Sequence, residues 1–403
     1  MPGPLSGFRV IDMTTVVMGP LATQILGDYG AEVIKVEPPE GDVMRRAGPA
    51  RHPDMGPLYL ALNRNKRSIV LDVKKPAGRA TLLRLAVRAD ALVHNVRPAS
   101  MERLGLGYAA IAAVRPDIVY ASLVGYGQAG PYARKPAYDD LIQGASGLAA
   151  LLARTGGGEP HYVPALIADR IVGVTAAHAV IAALLHRERT GEGQAIEVPM
   201  FETLAELVLG DHLGGRAFEP SAGPAGYGRL LAANRRPYRT QDGYICALLY
   251  TDRQWQAFFT ACGRAKRYDD DPKLNDAALR ARHYDEAYAA VAEILATRST
   301  GEWLALFEAN DIPAMPLNDL DGLIDDPHLA AAGFFRMVEH PSEGRIRLMN
   351  PPARFSRTQP GIRAAPPRPG VDGADVLAET GFTPDEIARL QADGVLGPPP
   401  EAD

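Results

Sequence analysis

The stretch that decides the fold is Phe8–Glu37, FRVIDMTTVVMGPLATQILGDYGAEVIKVE. It opens on a short apolar run, Phe8–Met13, and closes on another, Glu32–Glu37. Between them lie a loop, Thr14–Pro20, and a helical stretch, Leu21–Tyr29, that stops at Gly30. Apolar runs of this length, bounded by turn signals, read as buried strands. Strand, loop, helix and strand within about thirty residues make a βαβ unit, which requires parallel strands and a right-handed crossover. The pattern repeats. Ser68–Val73, Ala91–Val96, Ile118–Gly125 and Gln194–Val198 read as strands, with helices over Pro76–Arg88, Pro98–Gly105 and Met200–Leu209. The expected class is α/β, a doubly wound, Rossmann-like parallel sheet with its ligands beyond the carboxyl ends of the strands.

At 403 residues the chain exceeds one ordinary core, so two domains are expected. With 46% hydrophobic and 23% charged residues it reads as a globular protein rather than a disordered one. The net charge of -5 argues against a general nucleic-acid binder, which would be basic. Two cysteines, Cys246 and Cys262, have neither metal-ligand nor disulfide spacing and suggest a reducing compartment. The start, MPGPLSGFRVIDM, lacks the basic and apolar regions of a signal peptide, so a cytoplasmic location is expected. The first loop lacks G-x-G-x-x-G, and no P-loop or H-E-x-x-H occurs anywhere. Nicotinamide, ATP and zinc readings therefore find no support, and neither a metal nor a tightly bound cofactor is expected.

The other informative stretch is Val163–Arg189, VPALIADRIVGVTAAHAVIAALLHRER. Ile171, Val174, His178, Ile181 and Leu185 recur at helical spacing, and Arg187, Arg189 and Gly191 supply a helix end. The run is too short in apolar residues to span a membrane and is expected to be a buried helix, with His178 packed in the core. Asp169 stands at its amino end. There it is either an N-cap alone or a carboxylate held ionised by the helix dipole for nucleophilic work. Loops around Asn63–Ser68, Asn95–Pro98 and Gly125–Tyr138 would gather Arg64, Lys66, Arg67, Arg97, Arg103 and Lys135 at one sheet edge, suited to a ligand with several phosphates.

Composition shifts at residues 214–228, rich in glycine, which read as a linker after a large domain over 1–213. Residues 229–325 read as a smaller α+β unit. It has a hairpin over Tyr238–Tyr250, helices near Trp255–Cys262, Tyr284–Ala296 and Gly301–Ala309, and a proline-broken strand or loop at Ile312–Leu317. Gly344–Met349 and Arg354–Ser356 look like strands. The proline-rich tail ends in a helix, Pro384–Gln391, expected to dock through Ile387, Leu390 and Val395.

Taken together, these stretches resemble the class III CoA-transferases almost end to end. The likeness rests on Val10–Pro20 (VIDMTTVVMGP), Gly30–Gly41 (GAEVIKVEPPEG), Asn63–Asp72 (NRNKRSIVLD), Gly125–Pro131 (GYGQAGP), Tyr138–Gln143 (YDDLIQ), Ala168–Arg170 (ADR) and Arg189–Gln194 (RTGEGQ). It continues at Asn95–Pro98, Asp326–Gly333 and Pro351–Ser356. The resemblance implies that Asp169 is the nucleophile. It implies coenzyme A contacts at Val16, Val17, Met18, Leu71, Lys74, Asn95, Val96, Arg97, Arg103 and Lys135. A basic contact of the family after the second strand is matched here by Pro38 or Pro39. The implied substrates are an acyl-CoA and small carboxylic acids. The implied architecture is a large domain made by both chain ends, with 326–403 returning to it, and an interlocked, ring-like homodimer.

The formyl-CoA members carry a run of glycines over the intermediate, and Tyr227–Tyr250 holds none. Two other readings share the fold. α-Methylacyl-CoA racemases use a His and an Asp, but Tyr138 stands where that His is expected, and tyrosine is a poor proton shuttle near neutral pH. The other is a catalytically silent CoA binder. Arg170, Arg51, His52, Arg235 and Arg236 are candidates to face a second carboxylate on the acyl group.

Overall fold

The computed structural model describes residues 3–156 and 158–397, and the chain separates into two compact units. The first comprises the chain up to Ser146, Val163–Ala205, and everything from Pro327 onward. In chain order its elements begin β1 (Arg9–Met13), α1 (Met18–Asp28), β2 (Glu32–Glu37), α2 (Pro57–Leu62), β3 (Lys66–Val70) and α3 (Pro76–Ala86). They continue with β4 (Ala91–His94), α4 (Pro98–Arg103), α5 (Tyr108–Val114), β5 (Val119–Val124) and α6 (Asp139–Ala145). After α7 (Leu148–Gly156), which belongs to the second unit, come α8 (Ile167–Thr190), β6 (Gln194–Pro199) and the start of α9 (Met200–His212).

All six strands are parallel, in the order β3-β2-β1-β4-β5-β6. Building runs outward one way from β1 and the other way from β4, so a crevice opens between their carboxyl ends. Side chains alternate across the sheet. Val10, Ala91 and Val119 face a layer formed by α1 and α8. Ile11, Ile34, Ile69 and Leu92 face the opposite layer, built from α3, α5 and the C-terminal helices. Covering on both faces is why these strands read as continuous apolar runs.

β3 starts and stops earlier than the expected Ser68–Val73. Beyond Val70 the chain leaves the sheet: Leu71 bridges Leu396 antiparallel, and the Asp72 N–H bonds the Val395 carbonyl. The tail thus docks. Its helices, Gly373–Glu379 and Pro384–Ala392, bury Leu377, Ile387 and Leu390 against Ile69 and Leu82. Arg354–Ser356 is not a strand, because the Phe355 N–H is turned back onto the Gln359 side chain. Gly344–Met349 pairs instead with Phe335–His340.

In α8 the buried stripe is Val172, Ala176, Val180, Ala183 and Leu184, not the expected Ile171–Leu185 set. Val174 and Leu185 are 54% and 51% exposed, and His178 is exposed rather than packed. Gly173 sets this phase. A Cβ there would lie 2.7 Å from the Met18 carbonyl oxygen, so only glycine lets α8 approach α1 so closely. Contrary to the expectation, the helix has the length and composition of a membrane span, and 50% of its most apolar window is buried within the fold.

The second unit comprises Gly147–Tyr162 and Glu206–Asp326. It therefore includes α7 and residues 206–228 as well as all of 229–325. Residues 214–228 are folded onto the unit, with Ala222 N–H on the Gly215 carbonyl and Gly226 N–H on that of His212. Tyr238–Arg239, Tyr244–Ala247 and Ala314–Pro316 form a three-stranded antiparallel sheet. Its core is aromatic: Trp255, Phe258, Phe259, Tyr288, Trp303 and Phe307.

Candidate active site

The loop after β1 is the most tightly held part of the crevice. Asp12 is fully buried and accepts from Thr14 N–H and Oγ1, Thr23 Oγ1 and Lys66 Nζ. Lys35 Nζ donates to the Thr14 carbonyl and to Asp42. Asn95, at the end of β4, grips Thr15 from both sides, accepting its N–H at 3.0 Å and donating to its carbonyl at 2.8 Å. Val16 is thereby held at φ 72°, a conformation that β-branched residues avoid, with its N–H on Asp42. Burial works to raise the Asp12 carboxyl, but Lys66 and Lys35 win and hold it low. Burial brings Lys66 down to about 8 despite Asp12.

That network corrects part of the expected basic edge. Lys66 is consumed by Asp12, Arg64 by Asp28, and Arg67 by Glu379 and Glu32. Arg97 and Lys135 do reach the crevice.

Asp169 is the third residue of α8, and Leu166 occupies the cap position without a side-chain bond, so Asp169 is no N-cap. Its own N–H, one of the four a helix start leaves unpaired, is received by Asp139 Oδ1 at 3.0 Å. Asp139, in the first turn of α6, also accepts from Gln143 Nε2 at 2.6 Å. Gln143 is fully buried and bonds Val163 N–H at 2.9 Å and the Ala165 carbonyl at 3.3 Å. One turn of α6 therefore latches the segment leading into α8 and caps it from outside.

Asp169 is 7% exposed. Burial, then the charge of Asp139, raise its carboxyl from 3.8 to about 7, against a smaller opposing pull from Arg170. The helix end does not hold it ionised as expected. A helix dipole contributes ~0.3–1 kcal/mol, whereas a shift of that size corresponds to roughly 4 kcal/mol.

A cavity of about 230 Å³ opens on Asp169. Of the ten expected coenzyme A contacts, Val16, Met18, Asn95, Arg97 and Lys135 line it, together with Thr15, Gln128 and Tyr138. The other five do not line it. Val17 and Leu71 are fully buried, and Val96 packs against the core. Lys74 is exposed beside Glu40, and Arg103 bonds Ser100 on the surface. The loop Gly125–Tyr138 is a built platform rather than a solvated turn. Tyr126 packs on Tyr132 and Phe201, Lys135 Nζ stands 3.8 Å over the Tyr132 ring, and Gln128 N–H is fixed by Glu197.

Tyr138 is 67% exposed, and among the described residues no histidine lines the cavity. His94, one layer below, is pushed down to about 4 by burial and bonds Ser122 and the Val96 carbonyl. The sequence reading missed Gln143, Thr15 and Gln128. For Gln143 the signal was present: Asp139 and Gln143 stand one helical turn apart, before Asp169.

A Rossmann-order sheet whose crevice holds a buried carboxylate and two cations describes an α/β enzyme suited to acyl chemistry. The chain belongs to CoA-transferase family III, whose model matches residues 5–373. It is thus a CoA-transferase, of a family that moves coenzyme A between acyl-CoA thioesters and carboxylic acids. It is 34% identical to an acyl-CoA transferase of Fusarium pseudograminearum over 98% of this chain and 88% of that protein. It is 31% identical to succinyl-CoA:glutarate CoA-transferase of Homo sapiens, over 98% of this chain and 90% of the relative. The crystal structure of Rv3272 from Mycobacterium tuberculosis superposes with a TM-score of 0.82 at 31% identity, covering 93% of this chain and 99% of that one.

Proposed function

We propose that Asp169 is the nucleophile of a double-displacement transfer. Its carboxylate oxygen attacks the thioester carbonyl of the donor acyl-CoA. The C–S bond breaks, coenzyme A leaves as thiolate, and an aspartyl–acyl anhydride remains. The thiolate attacks the aspartyl carbonyl and releases the donor acid as carboxylate, leaving an aspartyl–CoA thioester. The acceptor carboxylate then attacks that thioester carbonyl, expelling thiolate and forming a second anhydride. Thiolate attack on the acceptor's carbonyl yields the new acyl-CoA and restores Asp169.

The observation that carries this reading is the burial of Asp169 in a cavity it shares with Arg97 and Lys135. A desolvated carboxylate is more nucleophilic than a hydrated one, and the two cations suit the phosphates of coenzyme A. Val16, Met18 and Asn95 would bind the thiol arm near Asp169. Val17, Leu71, Lys74, Val96 and Arg103 would meet the cofactor portion outside the cavity, the buried ones through their backbone. Backbone N–H groups of the Val16–Met18 turn are candidates for the oxyanion donors. The free thiols of Cys246 and Cys262 fit the cytoplasm as its location, and the working form is an intertwined homodimer.

The test is to incubate the enzyme with a panel of acyl-CoAs, add hydroxylamine, and map the Asp169 peptide by mass spectrometry. A hydroxamate on Asp169, absent from Asp169→Ala, is the expected result, and the donor that produces it names the acyl group. No adduct with any donor would sink the covalent mechanism.

A further inference from the structure

Of the charged groups outside the cavity, Arg51 and His52 are engaged by Glu343, and Arg235 and Arg236 belong to the second unit. A different set lies under the loop after β1, and the reaction at Asp169 does not use it. Asp42, fully buried, accepts from three segments: the Val16 N–H at 3.1 Å, Lys35 Nζ at 3.1 Å and the Met44 N–H at 3.0 Å. The last bond caps the short helical turn Val43–Arg46. Asp42 is itself steadied. Its N–H donates to Glu37 Oε2 at 3.1 Å, and Arg45 clamps Glu37 through bonds of 2.7 and 2.6 Å. Lys35, also fully buried, reaches the Thr14 carbonyl at 2.8 Å with the same ammonium that meets Asp42.

A cap alone needs none of this. An exposed serine or asparagine caps a helical turn as well, whereas taking an aspartate and a lysine out of water is costly. What the arrangement secures is Val16. Its φ of 72° strains a β-branched residue, and such a conformation persists only where the surroundings over-determine it. Here Asn95 holds Thr15, while the Asp42–Lys35 pair holds Val16 and Thr14. Beyond Val16 the chain enters α1. Among the described residues, the N–H groups of Val17, Met18 and Gly19 have no hydrogen-bond partner. Val16 and Met18 line the cavity that Asp169 also lines.

We propose that Asp42 and Lys35 are positioning residues for CoA transfer: they hold the turn at Val16 in its left-handed conformation and so fix the cavity wall that Val16 and Met18 form. That this wall supplies oxyanion donors rests on the double displacement above. The hold of Asp42 on Val16 does not.

The rate is read on the full chain as exchange between an acyl-CoA and its own isotopically labelled free acid, across a panel of straight-chain acyl-CoAs. Asp42→Ser keeps an oxygen that can cap Met44 but is too short to hold Val16 and Lys35 as well. It should lower kcat by roughly 10–100-fold and change the KM for acyl-CoA less than about threefold. Coenzyme A, titrated calorimetrically, should bind it almost as tightly as it binds the unaltered enzyme. The second arm is Val16→Gly, because glycine takes a positive φ without strain. In that background Asp42→Ser should cost kcat no more than about threefold.

An equal loss in both backgrounds overturns the proposal, since Asp42 would then be a general stabiliser. A fall in coenzyme A affinity that matches the fall in rate also overturns it, making the wall a binding surface only. Asp28→Asn removes another buried carboxylate of the same unit, one held by Arg64 and Asn65. It should lower the melting temperature and leave kcat alone, and a loss of kcat as large as that of Asp42→Ser would count against the positioning role. If Asp42→Ser does not fold, Asp42→Asn, which keeps the shape and loses the charge against Lys35, goes through the same cycle with the same reading. A missing hydroxamate on Asp169 with the Val16 dependence intact would remove the covalent mechanism and leave the positioning role standing. The reverse result would remove the positioning role alone.

Discussion

Asp139 does two things to Asp169 that pull in opposite directions. It completes the helix start by accepting the Asp169 N–H, and its charge helps to hold the neighbouring carboxyl up to about 7. The sign follows directly. A carboxyl raised in this way is protonated below about pH 7, and the nucleophile is the ionised form, so kcat/KM should rise with pH through that region. Asp139→Asn keeps an acceptor oxygen but removes the charge. Its acid limb should move down by roughly one unit, with the thermal midpoint little changed. A pH–rate profile checks this, and an unmoved limb would mean that burial alone sets the value. Arg170 acts the other way, and Arg170→Gln should push the limb up.

At the scale of elements, the contact between α1 and α8 sets where Asp169 stands. Gly173 lies one turn beyond Asp169, and its absent side chain leaves room for the Met18 carbonyl. Gly173→Ala should force the helices apart and cost roughly 1–3 kcal/mol. It should lower kcat more than it raises KM, because Asp169 and Met18 line one cavity from the two helices. Steady-state kinetics with a melting curve checks both, and a variant with wild-type kcat would unlink the packing from the site.

The same pair of helices marks how far sequence reading reaches. Six parallel strands were legible because β1, β2, β4 and β5 are buried along almost their whole length and all six are bounded by turns. The facing of α8 was not, because its Val, Ile and Leu residues occupy more than one side. Gly173 and the alanines, which carry little hydrophobic signal, decide which side is buried. At the site, Asp169 was found through its family motif and helical position. The fate of Lys66, Arg64 and Arg67 was hidden because Asp12, Asp28 and Glu379 are distant in sequence. Charge in a loop does not reveal whether a partner is waiting.

For the whole molecule, the face of α8 that carries Val174 and Leu185 is an apolar stripe that one chain leaves half open. The proposed homodimer predicts a sedimentation mass of twice the 43.2 kDa of one chain. Val174→Glu/Leu185→Glu should shift the protein toward single chains and reduce activity. A single-chain mass for the unaltered enzyme would dismiss the dimer.

The bridge between Leu71 and Leu396 bears on how the protein is made. The sheet is complete once β6 has emerged, yet the β3 end of the face that α3 and α5 cover stays open until the final helices arrive. At ribosomal speeds of roughly 5–20 residues per second, that end waits for some tens of seconds. During synthesis Ile69 and Leu82 are exposed surface for a chaperone to hold, and a message truncated near its end would yield a nearly full-length chain that never seals.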